Sequence, residues 1–101
     1  MAAYVRVVGT ADIPPGSGHT VEVNGLAIAI FNVDGAFFAV DNTCAHKGGP
    51  LGEGELAGEV VTCPWHGWQY NVKTGISITT PSASVKTYQV KVEGADVKLL
   101  L

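Results

Sequence analysis

Two dipeptides ten positions apart, Asn24-Gly25 and Asp34-Gly35, constrain the fold of this chain more than any other feature. Each supplies the positive φ angles of a two-residue type I′ turn, whose backbone twist matches that of two antiparallel strands. Both stand between runs with β patterning. Val21 and Val23 alternate with polar neighbours in Thr20 to Val23, Leu26 to Phe31 follows the first turn, and Ile28 to Val33 and Ala36 to Val40 flank the second. Two consecutive hairpins are therefore predicted, preceded by a strand over Tyr4 to Val8.

Strand signals return at Glu59 to Thr62, at Trp68 to Val72 and, past a turn at Lys73 to Gly75, at Ile76 to Ile78. Beyond the Pro81 to Ser84 loop, Tyr88 to Val92 and Val97 to Leu101 form a last alternating pair around Gly94. No stretch sustains a helical period and no internal repeat is visible, so the predicted fold class is all-β. A chain of 101 residues has room for one modest core, which predicts a single domain over 1–101.

The β pattern breaks from about Asn42 to Leu56, where Gly48, Gly49, Pro50, Gly52 and Gly54 argue against a regular element. A long loop in so small a domain is usually functional, so chemistry is sought there. The loop opens with Cys44-Ala45-His46, and after sixteen residues comes Cys63-Pro64-Trp65-His66, giving C-x-H-x16-C-x2-H. Two loops thus each offer one thiolate and one imidazole. Such a set suits either a tetrahedral zinc or an iron–sulfur cluster in which two histidines replace two cysteines on one iron. A disulfide between the two cysteines would leave both histidines without a use.

Charge narrows the partners. The formal net charge is −3 and the six Lys and Arg form no cluster, which leaves no electrostatic footprint for nucleic acid or an anionic membrane. Met1 to Gly9 lacks the basic start and apolar run of a secretory signal, and nowhere do about 18 apolar residues run together. A cytoplasmic protein without a membrane partner is expected.

Cys44-Ala45-His46-Lys47-Gly48-Gly49-Pro50-Leu51 resembles the first cluster loop of the Rieske [2Fe–2S] family, and Cys63-Pro64-Trp65-His66-Gly67-Trp68-Gln69-Tyr70 resembles the second. The likeness runs on through Asn71 to Gly75, the Pro81 loop and Tyr88 to Leu101, while the first forty residues match only as generic β structure. It implies stacked antiparallel sheets with a loop-rich lobe, cluster loops at about 43–56 and 63–70, and one [2Fe–2S] cluster per chain held by Cys44, His46, Cys63 and His66. Gly48, Gly49 and Gly67 would let backbone amides approach the cluster, or serve ordinary turns. Leu51 resembles the apolar residue that covers the cluster in the family, and Tyr70 the tyrosine whose hydroxyl bonds a ligand sulfur; simple core packing is the alternative for both. Trp65 and Trp68 flank the second histidine and suit a docking face or packing, and His19, in a glycine-rich stretch without a cysteine near it, reads as an exposed loop residue.

The resemblance also implies a function. Two thiolates and two imidazoles leave the oxidised site neutral, which places the potential at about −150 to +300 mV against about −400 mV for a four-cysteine cluster. All iron positions are filled, so the site carries electrons and holds no catalytic residue. Membrane-bound relatives place a disulfide cysteine where Trp65 stands and a serine where Trp68 stands. The nearest match is the ferredoxin component of a multicomponent dioxygenase, taking electrons from a flavin-dependent reductase to a terminal oxygenase. A small subunit of an assimilatory nitrite reductase and a structural zinc protein remain as alternatives.

Overall fold

Both glycine turns fold as the sequence predicts. The computed structural model describes residues 3–44, 49–65 and 67–101. In it Asn24 and Gly25 have φ of 51° and 77°, and Asp34 and Gly35 have 54° and 93°. These turns join β2 (Gly18–Val23), β3 (Leu26–Val33) and β4 (Ala36–Asp41), with Val23 opposite Leu26 and Val33 opposite Ala36. A short β8 (Thr87–Tyr88) completes this sheet in the order β2-β3-β4-β8.

Two further antiparallel sheets flank it. β1 (Tyr4–Gly9), β10 (Asp96–Leu100) and β9 (Val90–Glu93) form one, so the first and last strands close on each other. β5 (Glu55–Ala57), β6 (Val60–Thr62) and β7 (Gln69–Asn71) form the other.

The layering follows from β3, which reads as a continuous apolar run instead of alternating with polar residues. Successive side chains of a strand point to opposite faces, so an unbroken run implies burial on both. Ile28 and Ile30 pack with Val8, Val97 and Leu99 on one side. Ala29 and Phe31 pack on the other with Leu51, Val61, Tyr70, Val72 and both cysteines. Phe31 is fully buried, and truncating such a side chain to alanine costs roughly 3–5 kcal/mol.

The structure departs from the sequence pattern in three places. The loop at 42–56 contains a 3-10 turn at Leu51–Glu53 and then β5, because Leu51 is drawn into the core and β6 offers a free edge for Glu55–Ala57. Ile76 to Ile78 is not a strand. Only isolated bridges occur there, Tyr70 with Ser77 and Ile76 with Ser84. Side chains make bonds that a ladder would otherwise make: Ser77 Oγ donates to the Gln69 carbonyl at 3.0 Å, and Gln69 N–H donates to Thr79 Oγ1 at 3.0 Å. The expected strand Tyr88 to Val92 is split at Gln89, because the chain leaves β4 there and pairs instead with β10. Among the described residues no helix is long and apolar enough to cross a membrane.

Candidate metal centre

Both cysteines stand at the base of a closed loop, Cys44 next to the bridge that fastens the first and Cys63 directly after β6 in the second. The first loop is fastened at its base by an isolated bridge between Thr43 and Pro50, with Cys44 N–H donating to the Gly49 carbonyl at 2.9 Å and Leu51 N–H to the Asn42 carbonyl at 2.8 Å. The second loop joins the paired strands β6 and β7, and Cys63 N–H donates to the Trp68 carbonyl at 2.7 Å. Gly67 turns this loop with a φ of 75°, a left-handed conformation that a side chain would strain.

The two loop bases bring Cys44 and Cys63 into one apolar cluster, 2% and 1% exposed. No disulfide joins them, which removes that reading. Burial pushes the Cys63 thiol above its ordinary range, and the neighbouring Cys44 thiol adds to the rise. The Trp65 backbone N–H, donating toward Cys63, acts in the opposite direction. Tyr70, itself fully buried, places its hydroxyl 3.3 Å from Cys44 Sγ. On Gly49 a Cβ would stand 2.7 Å from Cys63 Sγ, so the first loop approaches that sulfur with bare backbone.

This donor set fits a metal-bound cluster. Two thiolates buried among Leu51, Val61 and Val72 would be costly without a cation to compensate them. The polar groups at hand also suit sulfur that carries negative charge: a phenol beside one thiol and a backbone amide beside the other. His46 and His66, the two imidazoles expected from the sequence, lie outside the described residues, as do Lys47 and Gly48.

The remaining expected residues divide clearly. Leu51 is fully buried in the same cluster as both thiols. Trp68 is partly buried against that cluster, whereas Trp65 is 50% exposed. His19 is exposed on β2. It lines a groove with Glu53 and Glu55 that neither cysteine reaches.

Two positioning residues escape sequence reasoning. Asn42 is buried and its Oδ1 accepts from Gly52 N–H at 2.7 Å and from Thr20 Oγ1 at 3.1 Å, fixing the far end of the first loop to β2. Ser77, 1% exposed, anchors the segment after β7. An asparagine beside a loop and a serine among threonines give no pattern that would single them out.

Known proteins match this arrangement. The model of the Rieske [2Fe–2S] domain matches residues 3–89. The ferredoxin component of the naphthalene 1,2-dioxygenase/salicylate 5-hydroxylase systems of Ralstonia sp is 40% identical over 89 residues, covering 87% of this chain and 86% of that protein. Among solved structures, the ferredoxin of Sphingomonas yanoikuyae B1 superposes with a TM-score of 0.90 at 31% identity, covering 98% of this chain and 99% of its own. A chain from the complex of reduced oxygenase and oxidized ferredoxin in carbazole 1,9a-dioxygenase does so with a TM-score of 0.88 at 31% identity, covering 96% and 92%. The likeness to ferredoxin components decides between the two metals that the Cys/His spacing left open. The chain belongs to the Rieske [2Fe–2S] family, as an electron carrier with one [2Fe–2S] cluster and not as a catalytic subunit.

Proposed function

We propose that Cys44, His46, Cys63 and His66 hold the cluster, and that residues 1–101 act as one cytoplasmic domain passing single electrons from a flavin-dependent reductase to a terminal oxygenase. The observation that carries this reading is the pair of buried thiols delivered side by side by the bases of two separate loops. When bound, the cluster supplies reversible one-electron chemistry. Cys44 and Cys63 supply anionic sulfur, the surrounding apolar side chains exclude water from it, and Tyr70 and the Trp65 amide direct hydrogen-bond donors at it. Pairing of β1 with β10 supports one cooperative unit.

The partner assignment takes its support from likeness to named ferredoxin components and to a chain solved together with an oxygenase. That kinship favours an electron carrier over the assembly subunit of a nitrite reductase.

Substitution separates ligands from bystanders. Cys44→Ser and His66→Ala are expected to lose the visible absorption of the cluster together with much of the folding stability, since metal binding to a loop-rich lobe contributes to folding. His19→Ala is expected to change neither. A His66→Ala protein with the wild-type spectrum would refute the ligand set. For the partners, the purified chain should be reduced by NADH through a dioxygenase-type flavin reductase and reoxidised by the oxygenase in stopped flow. Failure of both steps, with tight copurification of a nitrite reductase large subunit, would favour the assembly role.

A further inference from the structure

The two loops meet at a contact that the ligand assignment does not use. A Cβ built on Gly49 would stand 3.0 Å from both Cβ and Cγ of Trp65, as well as 2.7 Å from Cys63 Sγ. The indole stem therefore lies directly on the bare backbone of the first loop. Gly49 is also the residue whose carbonyl receives the Cys44 N–H at 2.9 Å. From its other side, Trp65 directs its own N–H toward the Cys63 sulfur. One residue of the second loop thus touches the thiol of its own loop through its backbone, and through its side chain touches the glycine that holds the thiol of the other.

Exposure gives this contact a second consequence. Trp65 is 50% exposed while the thiols are at 2% and 1%, so its side chain reaches from solvent to the glycine that lies against the Cys63 sulfur. Removing it would uncover Gly49, which has no side chain of its own to shield the Cys63 sulfur. A half-exposed tryptophan could instead serve contact with a redox partner alone, and the two roles differ in what they do to the isolated protein.

We propose that Trp65 is a positioning residue for the cluster, latching the two loops together across Gly49 and keeping water from the Cys63 sulfur. The proposal rests on the reading that Cys44 and Cys63 are ligands. Without the indole, water reaches a site whose reduced form carries the greater negative charge, so the reduced form is favoured and the potential rises. The loops also part more readily, and loss of the cluster to a chelator should accelerate on the order of tenfold, as is typical when a group supporting metal ligands is removed.

Purified holoprotein in wild-type, Trp65→Ala, Trp65→Leu, Trp65→Phe and Gly49→Ala forms tests this, with cluster loss followed by visible absorbance under excess chelator and the potential by film voltammetry. Trp65→Ala should lose cluster faster and at a raised potential. Trp65→Phe, which keeps a ring over Gly49, should stay close to wild type. Gly49→Ala forces a methyl against Trp65 Cβ and Cγ and against Cys63 Sγ, and should also speed cluster loss while leaving residue 65 a tryptophan. If Trp65→Ala does not load, Trp65→Leu is judged by the same two measurements. Wild-type potential and loss rate in the truncated variants, with a change only in electron transfer to partners, would overturn the proposal, as would Trp65→Phe behaving like Trp65→Ala. A wild-type chain that takes up no cluster would instead contradict the ligand reading beneath it.

Discussion

Tyr70 links the core to the redox site within a single side chain. Its ring packs in the cluster that contains Phe31 and Val72, and its hydroxyl sits 3.3 Å from Cys44 Sγ. A metal-bound thiolate has no proton to give, so in the holoprotein the phenol is the donor. That bond strengthens as charge accumulates on sulfur, which stabilises the reduced state. Tyr70→Phe keeps the ring and removes the donor, and the potential is expected to fall. A hydrogen bond to a charged acceptor is worth roughly 1.5–3 kcal/mol, an upper bound of about 65–130 mV for a one-electron couple. Film voltammetry of the variant checks this, and an unchanged or raised potential would contradict it. At this scale the sequence carried much of what the structure brings together: Cys44, Cys63, Leu51 and Tyr70 all stood out by spacing or resemblance. Asn42 and Ser77 did not, because their work consists of bonds to backbone groups remote in sequence, to Gly52 and Gln69 respectively.

At the scale of elements, the turn after β7 is held by its glycine. Gly75 has a φ of 75°, donates to the Asn71 carbonyl at 2.8 Å, and accepts from Val85 N–H at 2.8 Å. A Cβ there would collide with the Val85 carbonyl and stand 3.0 Å from Thr87 Cγ2. Gly75→Ala is therefore expected to destabilise by roughly 2–4 kcal/mol, combining left-handed strain with overpacking, and to lower the urea midpoint of the holoprotein. A midpoint equal to wild type would contradict the packing described. The same turn carries a pH dependence. Lys73, 3.0 Å from Glu59, and secondarily Asn71 hold the Glu59 carboxyl below the ordinary glutamate range. Its contribution is thus present above that range and lost as the pH falls through the lowered value. Glu59→Gln should flatten the acid side of the stability profile slightly, and added salt should erase the difference because the pair is exposed. Acid curves that remain distinct in high salt would contradict this. Elements were legible where turn chemistry was local, as at Asn24-Gly25 and Asp34-Gly35. They were not where pairing is decided at a distance: β5 exists because β6 lies beside it, and Gln89 marks a change of sheet that no local pattern announces.

For the whole molecule, the three sheets form a frame whose middle strand is buried on both faces, and the two loops that begin at the cysteines meet over one of its two apolar clusters. This arrangement lets a packed scaffold bring two thiols from places far apart in sequence into one cluster. The all-β class was foreseen from periodicity and antiparallel pairing from the two turn dipeptides and the family resemblance, whereas the division into three sheets required knowing which strands meet. The central claim is a single cluster held by two thiolates and two imidazoles. It is tested most directly by pulsed EPR of the dithionite-reduced protein grown with isotopically labelled histidine. The account predicts a signal that appears only on reduction, with hyperfine coupling to the nitrogens of His46 and His66 that changes with the label. A signal without histidine coupling, or a colourless folded protein containing zinc and giving no signal, would contradict it.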